Sequence, residues 1–343
     1  MLSNQIATSN IKMKTYQQLW QSLTPLYDAG EAQAIVRTVL DVEYGMTLTD
    51  IIGGKVNELS ADEERKLEEI IIRLQKGEPV QYVLGEADFA GRTFHVEPGV
   101  LIPRPETAEL CQWIEKDMFE KSIVSSGDSS EDSSEDSSGN SPQATDDARR
   151  ILDICTGSGC IAITLGLNIP NSEVTGWDIS EDALRIAQGN VEMMEAGNVR
   201  IEYQDALALP KAAETDNEKM KGNDDKEVVK PKGEAKTPST QKWDLIVSNP
   251  PYICEKEKAD MEKNVLEHEP SLALFVPDED PLKFYRAIAE YASSALKSGG
   301  ALYFEINPIY EKETREMLLK LDFKDIETKE DAFGKKRMMR AIK

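Results

Sequence analysis

Asp153-Ile154-Cys155-Thr156-Gly157-Ser158-Gly159-Cys160 lies where a short apolar run, Ile151 to Ile154, gives way to helical spacing from Ser158 to Leu167. It reads as a buried strand that turns into a helix through a glycine loop. Gly157 and Gly159 remove side chains where the backbone must turn tightly and come close to a ligand. Taken alone, a glycine pair after a strand fits a nicotinamide dinucleotide site or a tight structural turn equally well.

Outward from this loop the strand and helix signals alternate. Glu173 to Asp178 is predicted as a strand, and Glu181 to Met194 as a helix capped by Ser180. Val199 to Tyr203 and Asp244 to Val247 read as strands, Leu282 to Leu296 as a helix, and Ala301 to Ile306 as a strand. A helix over Glu311 to Leu319 and strands near 323 to 328 and 336 to 342 close the pattern. Strands joined by crossover helices imply an α/β, doubly wound sheet, with ligands at the carboxyl ends of its strands.

Upstream, residues 11 to 77 carry helical spacing without strand-like alternation. Ser60-Ala61-Asp62-Glu63 is a capping box, followed by Leu67, Ile70, Ile71 and Leu74 on one face and stopped by Gly77 and Pro79. Glu86 to Phe89 and Arg92 to Val96 form a hairpin candidate across Ala90-Gly91. The expected organisation is a helical domain over 1–84, a hairpin connector over 85–103 and an α/β domain over 104–343. Two insertions interrupt the last. Residues 121 to 148 hold seven acids, one lysine and the repeat SSEDSSEDSSGNS, and residues 211 to 241 mix seven acids with seven lysines. Neither has the apolar surface to offset ordering entropy, so both are read as disordered, solvated loops.

The net charge of -23 argues against a protein that binds mainly by neutralising phosphates. The four cysteines, Cys111, Cys155, Cys160 and Cys254, show no zinc spacing, and only His95 and His268 could join them, so no metal site is expected. With no run of about 18 apolar residues and no signal-peptide pattern, the chain reads as cytoplasmic and free of membrane contact.

Two features narrow the ligand of the glycine loop. Ile161 and Ala162 occupy the region where a dinucleotide fingerprint has its third glycine. Asp178, at the end of the second strand in Gly176-Trp177-Asp178-Ile179-Ser180, is placed to accept hydrogen bonds from both hydroxyls of a ribose. Asp205, at the end of the third strand, is a candidate for contact with an adenine amino group or, alternatively, a loop or cap acid.

The fourth strand runs into Asn249-Pro250-Pro251-Tyr252. Consecutive prolines fix φ and donate no N–H, so they hold a rigid extended turn whose carbonyls stay available as acceptors. The Asn249 side-chain oxygen and the Pro250 carbonyl suit the two N–H groups of a planar NH2, with Tyr252 packed against it. An amide nitrogen attacks poorly because its lone pair is delocalised, so orientation must supply most of the help, and no catalytic base is assigned. His268, in Glu267-His268-Glu269-Pro270, and His95, in the hairpin, are read as structural.

The combination DxCTGSGC, WDIS and QDA resembles the class I methyltransferase fold, a Rossmann-like seven-stranded, mostly parallel sheet whose strand ends hold S-adenosylmethionine. NPPY is shared by enzymes that methylate adenine amino groups and enzymes that methylate protein glutamine. The upstream Phe89-Ala90-Gly91-Arg92-Thr93-Phe94 and Gly99-Val100-Leu101-Ile102-Pro103-Arg104-Pro105-Glu106-Thr107-Ala108-Glu109-Leu110, with HEPSLAL, FEI and Asp331-Ala332-Phe333-Gly334-Lys335-Lys336-Arg337, resemble the peptide chain release factor glutamine methyltransferases of the HemK/PrmC type.

That resemblance implies N5-methylation of the glutamine in the Gly-Gly-Gln tip of release factors by a monomer whose helical domain helps to hold the factor. The donor residues would be Cys155, Thr156, Gly157, Ser158, Gly159, Asp178, Asp205, Ala206 and Asn249. The catalytic and acceptor residues would be Asn249, Pro250, Pro251 and Tyr252, with Arg104 and Glu106 either ion-paired to fix the loop or, for Arg104, touching the factor. A ribosomal-protein glutamine methyltransferase and an adenine-N6 methyltransferase are the alternatives. The chain departs from the family with Cys155 in place of a glycine, Ala206 where some members have an aromatic, and Asn307 in place of a glycine after FEI. A positive φ at Cys155 would be strained.

Overall fold

The computed structural model describes residues 15–126, 148–210 and 242–343. Most of the two charged insertions, at 127–147 and 211–241, lies outside the described residues, as do residues 1–14.

In chain order the elements begin with five helices: α1 Tyr16–Gln21, α2 Ala29–Tyr44, α3 Leu48–Ile52, α4 Ala61–Leu74 and α5 Val80–Leu84. The capping box at α4 is present, with Ser60 Oγ accepting from the Glu63 amide at 3.4 Å and Glu63 Oε2 accepting from the Ser60 amide at 2.7 Å. Leu67, Ile70, Ile71 and Leu74 are all buried, in one cluster with Leu19, Leu23, Val36 and Leu40. Each such side chain contributes roughly 1.5–3 kcal/mol on full burial, which is what holds these short helices together.

The hairpin follows as β1 Glu86–Phe89 and β2 Arg92–His95, then helix α6 Pro105–Ser126. The alternating region runs β3 Arg149–Ile154, α7 Cys160–Asn168, β4 Ser172–Asp178, α8 Glu181–Met193, β5 Val199–Tyr203 and β6 Trp243–Ser248. After it come β7 Ile253–Cys254, α9 Lys263–His268, α10 Ser271–Leu274 and β8 Phe275–Val276. The chain closes with α11 Lys283–Ala295, β9 Leu296–Glu305, α12 Glu311–Lys320, β10 Lys324–Glu330 and β11 Lys336–Ile342.

Seven strands form one sheet in the order β10-β11-β9-β6-β3-β4-β5. β9, β6, β3, β4 and β5 are parallel, while β11 runs antiparallel to both β9 and β10. Counted among the seven alone, the order is 6-7-5-4-1-2-3, the class I methyltransferase topology, and its direction reverses between β3 and β6. The crevice at that reversal, beyond the carboxyl ends of the strands, is where such sheets bind ligands. Strand alternation sets the two faces. Ile151, Leu245, Val247, Ala301 and Tyr303 pack with α6 and α7 on one side; Leu152, Ile154, Ile246, Leu302 and Phe304 pack with α11 and α12 on the other.

Two expectations need correction. Residues 121 to 126 are not part of a loop, because Pro105 opens a helix that runs to Ser126, six residues into the expected first insertion. Proline suits a first helical position, and Leu110, Cys111, Ile114 and Met118 recur at helical spacing and are buried. The two compact units are also not contiguous in sequence. Val96–Pro98 and Met261–Glu269 group with the helices preceding Ala87, and the other described residues form the second unit.

Candidate active site

The glycine loop is built from backbone that only a few residue types tolerate. Gly157 and Gly159 have φ of 56° and 81°, and nothing lies within 4 Å of where a Cβ on Gly157 would stand. Cys155 has φ of 63°, in the left-handed region. The strain anticipated for a non-glycine residue there is therefore present, and costs about 1–2 kcal/mol. The Thr156 amide donates to the Trp177 carbonyl at 2.9 Å, tying the loop to β4. The Asn190 amide nitrogen donates to the Ser158 carbonyl at 2.9 Å.

Asp153 sits beneath the loop. Its Oδ2 accepts from Thr156 Oγ1 at 2.6 Å and from the Ala162 amide at 3.2 Å. Burial pushes its carboxyl up to about 7, against the pull of those two bonds. Asp178 accepts from the Gly157 amide through Oδ2 and the Ser180 amide through Oδ1, each at 2.9 Å. Burial raises its carboxyl above the usual range, and those amides oppose the rise.

These elements border a cavity of about 950 Å³ including its open mouth. Of the donor residues named from sequence, Cys155, Thr156, Gly157, Ser158, Asp178, Asp205, Ala206 and Asn249 line it. Gly159 stands just behind as the residue preceding α7. Of the acceptor residues, Asn249, Pro251 and Arg104 line the cavity, whereas Pro250, Tyr252 and Glu106 do not. Sequence reasoning missed Leu101, Ile179, Leu272 and Phe284, which supply much of the apolar wall, and the polar Gln204. Ile179 and Gln204 directly follow or precede the acids that were singled out, so adjacency was an available signal. Phe284, on α11, had none.

The cavity fits a nucleoside-bearing methyl donor. Ser158 Oγ is buried without a hydrogen-bond partner among the described residues, and the Gly157 surface stands open for a close approach. Asp178 has lone pairs beyond those used by the two amides.

The Asn249 to Tyr252 segment is tied down by side chains from distant elements. Tyr252 donates from its hydroxyl to Glu305 Oε1 at 2.9 Å. Thr107 Oγ1 donates to Glu305 Oε2 at 2.5 Å and lies 3.1 Å from Asn249 Nδ2. Burial raises the Glu305 carboxyl, with Thr107 and Tyr252 resisting, and burial likewise raises the Tyr252 phenol, with Glu305 adding to the rise. Arg104 acts electrostatically on Tyr252, and Glu106 on Arg337. Arg337 donates to Asp331 Oδ2 at 2.8 Å. Asn307, which stands in place of the glycine after FEI, donates from Nδ2 to the Tyr252 carbonyl at 3.1 Å and to Glu257.

His268 belongs to the helical unit, where its Nε2 is buried without a hydrogen-bond partner among the described residues, and the His95 amide donates to Asn190 Oδ1 at 2.8 Å. Among the described residues no His, Cys, Asp and Glu group could hold a metal ion, and no helix is long and apolar enough to cross a membrane.

A methyltransferase domain model matches residues 145–305, and a PrmC N-terminal domain model matches residues 24–85. The release factor glutamine methyltransferase of Bacteroides thetaiotaomicron is 43% identical over 321 residues, covering 94% of this chain and 96% of that relative. This chain belongs to the release factor glutamine methyltransferase family. The release factor glutamine methyltransferase of Flavobacterium psychrophilum is 35% identical over 329 residues, covering 96% of this chain and 98% of its own. Among solved structures, the release factor-specific protein-(glutamine-N5) methyltransferase of Alicyclobacillus acidocaldarius is similar at 20% identity and a TM-score of 0.35, covering 73% of this chain and 99% of that one. The family assignment makes S-adenosylmethionine the cofactor of this glutamine methyltransferase.

Proposed function

We propose that this chain methylates the side-chain nitrogen N5 of the glutamine in the Gly-Gly-Gln tip of peptide chain release factors, acting as a cytoplasmic enzyme on a protein substrate. The observation that carries this reading is the position of Asn249 and Pro251, which line the same cavity as Asp178 and the glycine loop. Family membership selects glutamine among the planar NH2 acceptors that NPPY alone leaves open.

When bound, S-adenosylmethionine supplies an electrophilic methyl group on a sulfonium sulfur. Asp178 would hold its ribose, Cys155 to Gly159 the adjoining chain, and Asp205 and Ala206 the adenine end. Asn249 Oδ1 and the Pro250 carbonyl would accept the two N–H bonds of the glutamine amide, aligning its nitrogen with the donor methyl. Tyr252 braces the turn through Glu305, and Arg104 lines the cavity. Alignment is the main contribution these residues make, since a delocalised amide nitrogen gains most from being held in an attacking geometry. The N–H proton displaced on methylation leaves to water from a strongly acidic cationic amide, so no protein base is assigned.

Incubation with radiolabelled donor and a release factor carrying Gln or Ala at the tip tests the reading. Label should enter only the Gln form, on one residue located by mass spectrometry, and Asn249→Ala should abolish most of it while leaving donor affinity within about twofold. Equal labelling of the Gln and Ala factors would refute the assignment.

A further inference from the structure

The order of donors and acceptors between Glu305 and Asn249 determines which end of the Asn249 amide can face the acceptor. Glu305 is 2% exposed, and the carboxylate can only accept. Thr107 has a single hydroxyl proton, which it donates to Glu305 Oε2 at 2.5 Å. Its oxygen is left with acceptor capacity alone, and 3.1 Å away it meets the Asn249 amide. Only the Nδ2 end of that amide can donate to it. The same carboxylate takes the Tyr252 hydroxyl on Oε1, so one buried group braces both ends of the acceptor turn.

We propose that Glu305 and Thr107 form a positioning relay that locks the Asn249 amide with Nδ2 turned inward, so that Oδ1 is the end presented to a substrate NH2. Without the relay, rotation of the Asn249 amide by half a turn places an NH2 against the substrate NH2, and two donors cannot bond. The relay discriminates for a neutral NH2 acceptor before any substrate arrives. Its distant members lie on α6 and β9, 142 and 53 residues in sequence from the residues of the turn that they reach. Thr107 itself lines the cavity that Asn249 and the glycine loop also line.

The inference rests on the proposed acceptor, and its test separates the two. The proteins compared are full-length wild type, Thr107→Val, which keeps the volume and removes the hydroxyl, and Thr107→Ser, which keeps the hydroxyl. Steady-state methylation of a release factor should show kcat reduced roughly 10- to 100-fold in Thr107→Val. The KM for the factor and the affinity for S-adenosylmethionine by calorimetry should stay within about twofold, and Thr107→Ser should recover most of the turnover. Independently of activity, the side-chain NH2 protons of Asn249, followed by NMR in asparagine-labelled protein without donor or acceptor, should be protected from solvent exchange in wild type and Thr107→Ser and exposed in Thr107→Val. Unchanged exchange in Thr107→Val would overturn the relay, as would equal losses of kcat in the Val and Ser variants. A wild-type enzyme that leaves release factors unlabelled would refute the acceptor assignment instead, while the exchange measurement would still decide the relay.

Discussion

Replacing Asp153 by asparagine should make the stability of this enzyme less sensitive to pH. Asp153 is 0% exposed, one carboxyl oxygen carries both of its hydrogen bonds, and the other, Oδ1, is buried without a partner among the described residues. A half-satisfied buried carboxylate is expensive to ionise, which is why the group is pushed up from 3.8 to about 7. One pKa unit is worth about 1.4 kcal/mol, so the gap corresponds to on the order of 4 kcal/mol between the protonated and ionised forms. The folded state binds this proton more tightly than the unfolded chain. Its stabilising contribution is therefore fully present below about pH 4, declines as pH rises towards about 7, and changes no further above that. Asparagine is neutral throughout, matches the shape of the protonated acid, and can accept both existing bonds through one oxygen. Urea unfolding of both proteins at intervals from about pH 5 to 8 would measure the difference, in which all other titrating groups cancel. The stability of Asp153→Asn relative to wild type should climb by roughly 1 kcal/mol per pH unit up to about 7 and then level off. A difference that stays constant over that range, or falls, would refute the buried-carboxyl argument.

Two other substitutions probe the glycine loop and the strand end beside it. At Cys155, with φ of 63°, glycine should give a protein about 1 kcal/mol more stable than alanine, because the left-handed conformation outweighs glycine's extra freedom in the unfolded chain; equal thermal stability of the two would mean the loop relaxes. Asp178→Asn should weaken S-adenosylmethionine binding about 10- to 100-fold in calorimetry, the range for loss of charged hydrogen bonds, and unchanged affinity would remove Asp178 from the ribose site.

The parts of the molecule that were readable from sequence are those whose determinants lie within one or two turns of chain. The α4 capping box and its Leu67, Ile70, Ile71 and Leu74 face came through intact, as did β5 over Val199–Tyr203 and the hairpin around Ala90-Gly91. The missed α6 had a readable pattern in Leu110, Cys111, Ile114 and Met118. The prolines just before it and the acidic serine repeat just after it mask that pattern. Short elements such as α9 and the two-residue β7 and β8 carry too few residues for periodicity to register.

For the candidate site, sequence alone located the glycine loop, Asp178 and the NPPY turn, since each is a local motif at a strand end. Tertiary structure decided what surrounds them. The inward turn of the Asn249 amide depends on Thr107, 142 residues away, and Thr107 in turn on Glu305, a further contact across 198 residues. The elevated Asp153 carboxyl depends on burial beneath the loop, and the brace on Tyr252 comes from Glu305 and Asn307 on a strand and turn far along the chain. Hydrogen-bond polarity and desolvation are properties of neighbours in space, and the parallel sheet brings those neighbours together only once its distant strands have paired.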